Sequence, residues 1–387
     1  MKGLWIRTLA ATAALWTVMG ILTAPLAQAD TLKVGAILAV TGPASFLGGP
    51  EARTMEMLVE KINASGGVGG HQLQLVIKDS GADAEKAVSF AKQLIEEEKV
   101  FAILGPSTSG ETLKIKGICE EAKMLLISCA AAELIVNPVA RYVFKTPQND
   151  SDAIKHIFTT MQKMGISRIA FLSSNTGFGK AGAAQLKKIA PDFGIQILLE
   201  EVYDSKATDL TPVVTKVAAN PEVQAVVNWS IEPAQAILAK NIAQANLKLP
   251  LFQSHGFGNI EYVKAAGAAA EGIIFPAGLL LVADQLPEGH PQKALLLQYK
   301  KDYETKYPGE LASTFGGHGY DALMLLAEGI KAGGADREKV RSAIEGIKGF
   351  AGTAGVFNFS PSDHVGLGMD AFSMLTVKDG AFTFYGK

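Results

Sequence analysis

From about residue 32 to residue 253 the chain alternates short aliphatic runs with amphipathic helical segments, almost without interruption. The runs at 32–40, 72–78, 101–104, 125–128, 168–172, 195–202, 225–228 and 249–253 read as strands. The segments at 51–65, 83–98, 111–122, 152–164, 178–191, 209–219 and 233–245 carry apolar residues every three or four positions and read as helices. A helix between two strands returns the chain to the same end of a sheet, so the strands run parallel, and a parallel sheet needs helices on both faces. This places the chain in the α/β class. The alternation runs too long for one small sheet. Breaks fall at Thr146-Pro147-Gln148-Asn149-Asp150 and at Ile274-Phe275-Pro276. Beyond them, 291–306, 313–331 and 337–347 read as helices. The strands 374–378 and 382–385 are joined by an Asp379-Gly380 hairpin turn.

The first 29 residues stand apart. Lys2 and Arg7 precede an uncharged apolar run over 9–22, and Ala27-Gln28-Ala29 closes it with small residues at the positions a signal peptidase reads. The apolar run is short for a membrane span. The expectation is an exported protein with cleavage before Asp30. With a net charge of −2 and no basic cluster, nothing suggests a nucleic-acid surface. Cys119 and Cys129 are the two cysteines. One falls late in a helix and the other at the far end of the following strand, a separation too large for a disulfide, so two free thiols are expected.

The run GFGKAG (177–182) fits the dinucleotide pattern G-x-G-x-x-G, and Glu200 and Glu201 lie where a ribose carboxylate is wanted. However, the first glycine of that fingerprint turns directly off the strand, whereas Ser173 to Thr176 intervene here, and an exported enzyme would rarely meet such a cofactor. No cofactor is expected. Other sites hold more chemistry. Gly105-Pro-Ser-Thr-Ser-Gly-Glu111 joins a buried strand to a helix N-terminus, where free amides and the hydroxyls of Ser107, Thr108 and Ser109 can hold a carboxylate without a cation. Thr108-x-x-Glu111 is also a capping box, and both readings can hold at once. Ser128-Cys-Ala-Ala-Ala132 offers small residues and an approachable backbone after the next strand. Phe178, Trp229, Ser230 and His255 each follow a strand end, where open α/β sheets bind ligands. His318 reads as a satisfied or solvated residue. No G-x-S-x-G elbow, HExxH or metal-ligand spacing is present, so neither a catalytic set nor a metal site is expected.

Taken in order, Val34-Gly-Ala-Ile with Thr41-Gly-Pro43, the glycine-rich 62–70, Gly105-Pro-Ser-Thr-Ser, Thr176-Gly-Phe-Gly and Tyr320-Asp-Ala-Leu resemble the type I periplasmic solute-binding proteins of ABC transporters, the leucine/isoleucine/valine-binding group. The resemblance implies two Rossmann-like lobes joined by three crossing strands near 146–148, 274–277 and 357–359. Lobe 1 would hold 30–146 plus 277–357, and lobe 2 would hold 147–276 plus 358–387. A small ligand would bind between them in the periplasm, for delivery to an ABC permease in the inner membrane. In amino-acid-binding members, hydroxyls and amides hold the α-carboxylate. The matching positions are Ser109 and Ala130, Ala131 and Ala132, the last standing where a second hydroxyl is common. His255 takes the place of the acidic residue that holds the α-ammonium. Phe46 or Leu47, Phe178, Trp229, Ile231 and Phe315 fall near the side-chain pocket. The ligand expected is a branched-chain or related amino acid, or else an aromatic or aliphatic acid without an ammonium. Glu232 would restore the amino-acid reading if the loop is shifted.

Overall fold

A computed structural model of the chain describes residues 30–386, and the expected signal segment 1–29 lies outside them. The first half contains β1 (Thr31–Leu38), α1 (Ser45–Ala64), β2 (Gln72–Asp79), α2 (Ala84–Glu96), β3 (Ala102–Leu104), α3 (Ser109–Glu121), β4 (Leu125–Ser128) and β5 (Val143–Lys145). These strands form one sheet in the order β2-β1-β3-β4-β5, every neighbour parallel. The chain continues through α4 (Asp150–Lys163), β6 (Arg168–Ser174), α5 (Gly177–Ile189), β7 (Gln196–Tyr203), α6 (Thr211–Ala218), β8 (Ala225–Trp229), α7 (Ala234–Gln244), β9 (Leu251–Gln253), α8 (Ile260–Ala266) and β10 (Ile274–Ala277). After these come α9 (Lys293–Lys306), α10 (Thr314–Gly333), α11 (Arg337–Glu345), the small hairpin β11 (Phe350–Ala351) and β12 (Val356–Phe357), and finally β13 (Ser373–Lys378) and β14 (Ala381–Phe384). The second sheet has the order β7-β6-β8-β9-β10-β13-β14, parallel as far as β10 and antiparallel beyond. The protein is therefore α/β with two parallel-sheet lobes.

Each sheet organises its own core. Val34, Ile103, Leu126 and Phe144 pack with Leu323 and Leu326 of α10 in the first, and Phe171, Val227 and Phe252 pack with Ile157 and Leu186 in the second. The Asp379-Gly380 turn has φ of 52° and 72°, the two left-handed residues that a tight hairpin needs to match strand twist. The glycine-rich 66–70 turn places Gly66, Gly67, Gly69 and Gly70 at positive φ between α1 and β2.

Three features differ from the sequence reading. Helix α1 begins at Ser45, six residues early, and runs through Pro50. Gly48 and Gly49 look like breakers, yet a Cβ on Gly48 would meet the Ala39 backbone at 2.3 Å, so this glycine permits close docking onto the end of β1. The short elements β5 and α8 were not distinguishable from loop. Segment 358–371, which the resemblance places in lobe 2, packs against the first core. Phe359 stacks on Phe357 and meets Phe144 edge-on, and His364 stacks on Phe144, which ties 358–371 to the first core. Phe372 is the first residue of that segment to join the second core. Among the described residues no helix is long and apolar enough to cross a membrane. Cys119 and Cys129 are both buried and unpaired.

Candidate ligand cleft

The strand ends of both sheets face one narrow cavity of about 30 Å³. On the first lobe the loop after β3 supplies Ser107 and Ser109. Ser107 accepts from the Ala39 amide at 3.0 Å and donates to Glu51 Oε2 through a short contact. Thr108 is the N-cap of α3, its side chain accepting from Glu111 N and donating to Glu111 Oε2 at 2.5 Å. Ser109 opens the helix, and its Oγ accepts from Ala132 N at 3.2 Å, which leaves the hydroxyl proton free to donate. In the loop after β4, Ala130 N donates to Ser128 Oγ at 3.1 Å and the Ala131 carbonyl accepts from Lys145 Nζ at 2.6 Å. Among the described residues the Ala131 amide has no partner.

The second lobe supplies an aromatic wall. Phe178, in the first turn of α5, stacks on Trp229 at 5.8 Å between centroids, and His255 meets both rings edge-on at 5.4 and 5.6 Å. Gly182 makes this possible, because a Cβ there would meet the Trp229 indole at 2.1 Å. Gly177 has another purpose. Its Cα faces Gly110 of α3 across the cleft, and a Cβ on Gly177 would lie 2.6 Å from the Gly110 Cα. The glycines of GFGKAG are therefore packing devices. Glu200 and Glu201 form surface ion pairs with Lys187 at 2.9 Å and Lys216 at 2.8 Å, facing no ribose position.

Of the residues singled out by sequence, Leu47, Ser107, Ser109, Ala130, Ala131, Phe178, Ile231, His255 and Phe315 line the cavity. Five others do not. Thr108 lines an outer mouth of the cleft, its hydroxyl committed to the cap. Ala132 is fully buried behind Ser109. Trp229 is fully buried behind Phe178 and His255. Ser230 donates to Glu232 Oε2 at 2.8 Å, so serine and glutamate fold onto their own loop. Phe46 packs edge-on against Tyr262 at 5.3 Å, and Leu47, one helical step around α1, takes the cavity position.

The structure adds groups that sequence reasoning passed over. His318 is neither satisfied nor solvated: it is buried in the cavity wall and its Nδ1 has no partner. Behind the wall, Lys145 and Asp150 are fully buried at the two ends of the segment that links the lobes. Burial raises the Asp150 carboxyl, with Lys145 opposing, and burial lowers the Lys145 ammonium, with Asp150 opposing. Asp150 Oδ1 lies 3.7 Å from His255 Nε2. Burial, then the Lys145 charge, pushes His255 and His318 down to about 3, so both imidazoles are neutral near pH 7. The wall thus offers hydroxyl, amide and neutral imidazole groups and no cation.

Glu51 supports the wall from behind. Burial raises its carboxyl to about 8, with Ser107 opposing and Glu111 adding. A proton held more tightly in the folded than in the unfolded chain stabilises the fold at low pH, and this contribution is lost as pH rises from the ordinary 4.5 through about 8. Glu51→Gln keeps an acceptor for Ser107 without titrating. Between about pH 5 and pH 8 its unfolding free energy should fall less steeply than that of the wild type, by up to about 1.4 kcal/mol per pH unit. Urea melts at both pH values test this, and parallel declines would contradict it.

Comparison with known proteins agrees with this architecture. A family model described as "Periplasmic binding protein" matches residues 31–381. The leucine-, isoleucine-, valine-, threonine- and alanine-binding protein of Pseudomonas aeruginosa is 29% identical over 320 residues, covering 82% of each chain. The crystal structure of an extracellular ligand-binding receptor from Rhodopseudomonas palustris HaA2 superposes with a TM-score of 0.86 at 26% identity, covering 91% of this chain and 99% of that one. An ABC-transporter solute-binding protein from R. palustris, solved with benzoate, shares the fold with a TM-score of 0.79 at 23% identity, covering 92% of this chain and 96% of that one. Two parallel-sheet lobes with polar loops converging on a cleft, together with a match over nearly the whole described chain, show that this protein belongs to the periplasmic binding protein family.

Proposed function

We propose that the protein is the substrate-binding component of an ABC importer. It captures a small carboxylate-bearing solute between its lobes and presents the closed form to a membrane permease. Residues 1–29 would direct export to the periplasm. Lobe 1 would comprise 30–146 with the segment from 277 to about 371, and lobe 2 the remainder. The observation that supports this reading best is the pairing of the Ser109 hydroxyl proton with the unpartnered Ala131 amide in one cavity wall, where two uncharged donors can grip one carboxylate.

The Pseudomonas relative's name points to branched-chain amino acids, but the wall favours an acid without an α-ammonium. An ammonium needs a free anion or several acceptors. Glu51, raised to about 8, is mostly protonated near pH 7, Glu232 accepts from Ser230 and the Ile231 amide on its own loop, the Ala131 carbonyl accepts from Lys145, and Asp150 lies near the Lys145 charge.

Titration calorimetry with Ser109→Ala and Thr108→Ala tests the carboxylate grip. Losing a hydrogen bond to a charged group costs at least about 1.5 kcal/mol, so Ser109→Ala should weaken carboxylate binding about tenfold or more. Thr108→Ala should instead lower stability by about 1 kcal/mol through the lost cap, with affinity nearly unchanged. Equal effects of the two changes on affinity would refute the assignment.

A further inference from the structure

Among the described residues, three ring nitrogens at one end of the cleft have no hydrogen-bond partner: both of His255 and Nδ1 of His318. Asp150 is fully buried, and the two histidines are 9% and 8% exposed. Each buried orphan of this kind costs about 1–3 kcal/mol, so a cluster of them in a cavity wall calls for something that pairs with them. His255 comes from the second lobe and His318 from α10, so both elements converge on the same space.

The chemistry of the missing partner follows from what each group can do. In its ionised form Asp150 accepts only, and its Oδ1 lies 3.7 Å from His255 Nε2. With its proton on Nε2, His255 turns its N–H toward Asp150, as an imidazole commonly does toward a carboxylate. Nδ1 of His255 is then an acceptor aimed at the ligand, and neutral His318 presents a donor or an acceptor as its tautomer requires. A hydroxyl group both donates and accepts, and so pairs with both rings. An ammonium only donates, and the Lys145 charge that reaches both imidazoles opposes it. A methyl or ring hydrogen leaves every orphan unpaired.

Building on the carboxylate reading above, we propose that His255, set by Asp150 and joined by His318, is the subsite for a neutral hydroxyl, so that the solute is a hydroxy acid. The Phe178, Trp229 and Phe372 rings around His255 exclude water from that contact, and Phe178 offers a flat apolar wall for the ligand's carbon skeleton.

Two series of probes test this by titration calorimetry. The first is 4-methylvalerate, 2-hydroxyisocaproate and leucine, which share a skeleton and a carboxylate and differ in H, OH or NH3+ at one carbon. The second is benzoate and 4-hydroxybenzoate. In at least one series the hydroxy acid should bind about tenfold or more tightly than its deoxy partner. His255→Phe, which suits an aromatic box, should erase that preference while still binding the deoxy acid. His255→Gln, which keeps a donor and an acceptor, should retain part of it. Ser109→Ala should weaken hydroxy and deoxy acids alike. Equal binding of hydroxy and deoxy acids in both series, tighter binding of leucine, or a preference that survives His255→Phe would overturn the hydroxyl subsite and leave the carboxylate grip standing. Failure of every acid to bind would remove the carboxylate reading, and the subsite with it.

Discussion

Replacing Lys145 with methionine is expected to cost about 3–5 kcal/mol of folding free energy, the usual penalty for leaving a buried charge without its partner. Lys145 is fully buried, and its ammonium donates to the Ala131 carbonyl at 2.6 Å and the Gln148 carbonyl at 3.2 Å. It is also the opposite charge that steadies the fully buried Asp150 carboxyl. Methionine fills much of the same volume, so packing changes little and the loss reports the electrostatics. The pair Lys145→Met with Asp150→Asn removes the stranded charge and should recover a large part of the loss. Chemical denaturation of both variants measures this. A single substitution that costs under about 1 kcal/mol, or a double that is no better than the single, would show that Lys145 does not balance Asp150.

Replacing Gly177 with alanine should separate closure from stability. Gly177 opens α5, and its backbone needs no left-handed conformation, so alanine is at least as good there for the isolated lobe. Across the cleft, however, the new Cβ would sit 2.6 Å from the Gly110 Cα and 2.7 Å from its nitrogen. Backbone on both sides cannot yield as a flexible side chain can. Overpacking of this kind costs roughly 2–3 kcal/mol. That cost falls only on the closed form, so ligand affinity should drop by about 30- to 150-fold. The melting temperature of the ligand-free protein should hold or rise slightly. The reciprocal change is the control. A Cβ on Gly110 would meet Gly177 at 3.7 Å, an ordinary contact, so Gly110→Ala should bind nearly as the wild type does. Comparable losses for the two variants, or none for Gly177→Ala, would mean that the lobes do not meet at this point when ligand is bound.

Most of the framework could be read from residue order, because a β-rich run followed by an amphipathic helix repeats the same local rule many times. β4 has the bounds its aliphatic run implies, and β2, β6, β8 and α11 start where their residue patterns do. Where local rules and tertiary packing disagreed, packing prevailed. The Gly48-Gly49-Pro50 stretch has breaker chemistry but lies inside α1, held against the end of β1. Segment 358–371 has few regular elements to mark its lobe, and stacking on Phe144 decides it.

Legibility of the site followed the same division. Ser109 was legible because hydroxyls concentrated at a strand-to-helix junction carry a local signal. Thr108 carried the same signal, yet capping absorbs its hydroxyl entirely. Lys145 and Asp150 bound one short linking segment, and Glu51 and His318 are solitary polar residues on α1 and α10. No spacing rule links them, and only the fold brings three of them around His255. Lys145 ends an apolar run and Asp150 begins a helix, so each has an ordinary surface explanation in sequence. The partnerless state of their neighbours becomes visible only once all the atoms are placed.

The central claim is that uncharged donors of the first lobe grip a carboxylate while the second lobe closes over it. A crystal structure of the protein with the tightest-binding acid from the probe series tests this most directly. The account predicts the carboxylate within hydrogen-bond distance of Ser109 Oγ and the Ala131 amide, with Gly110 and Gly177 in contact and Phe178 over the ligand. An acid lodged instead in the groove between α1, α9 and α10, beside Lys61, Tyr299 and Lys331, would contradict it.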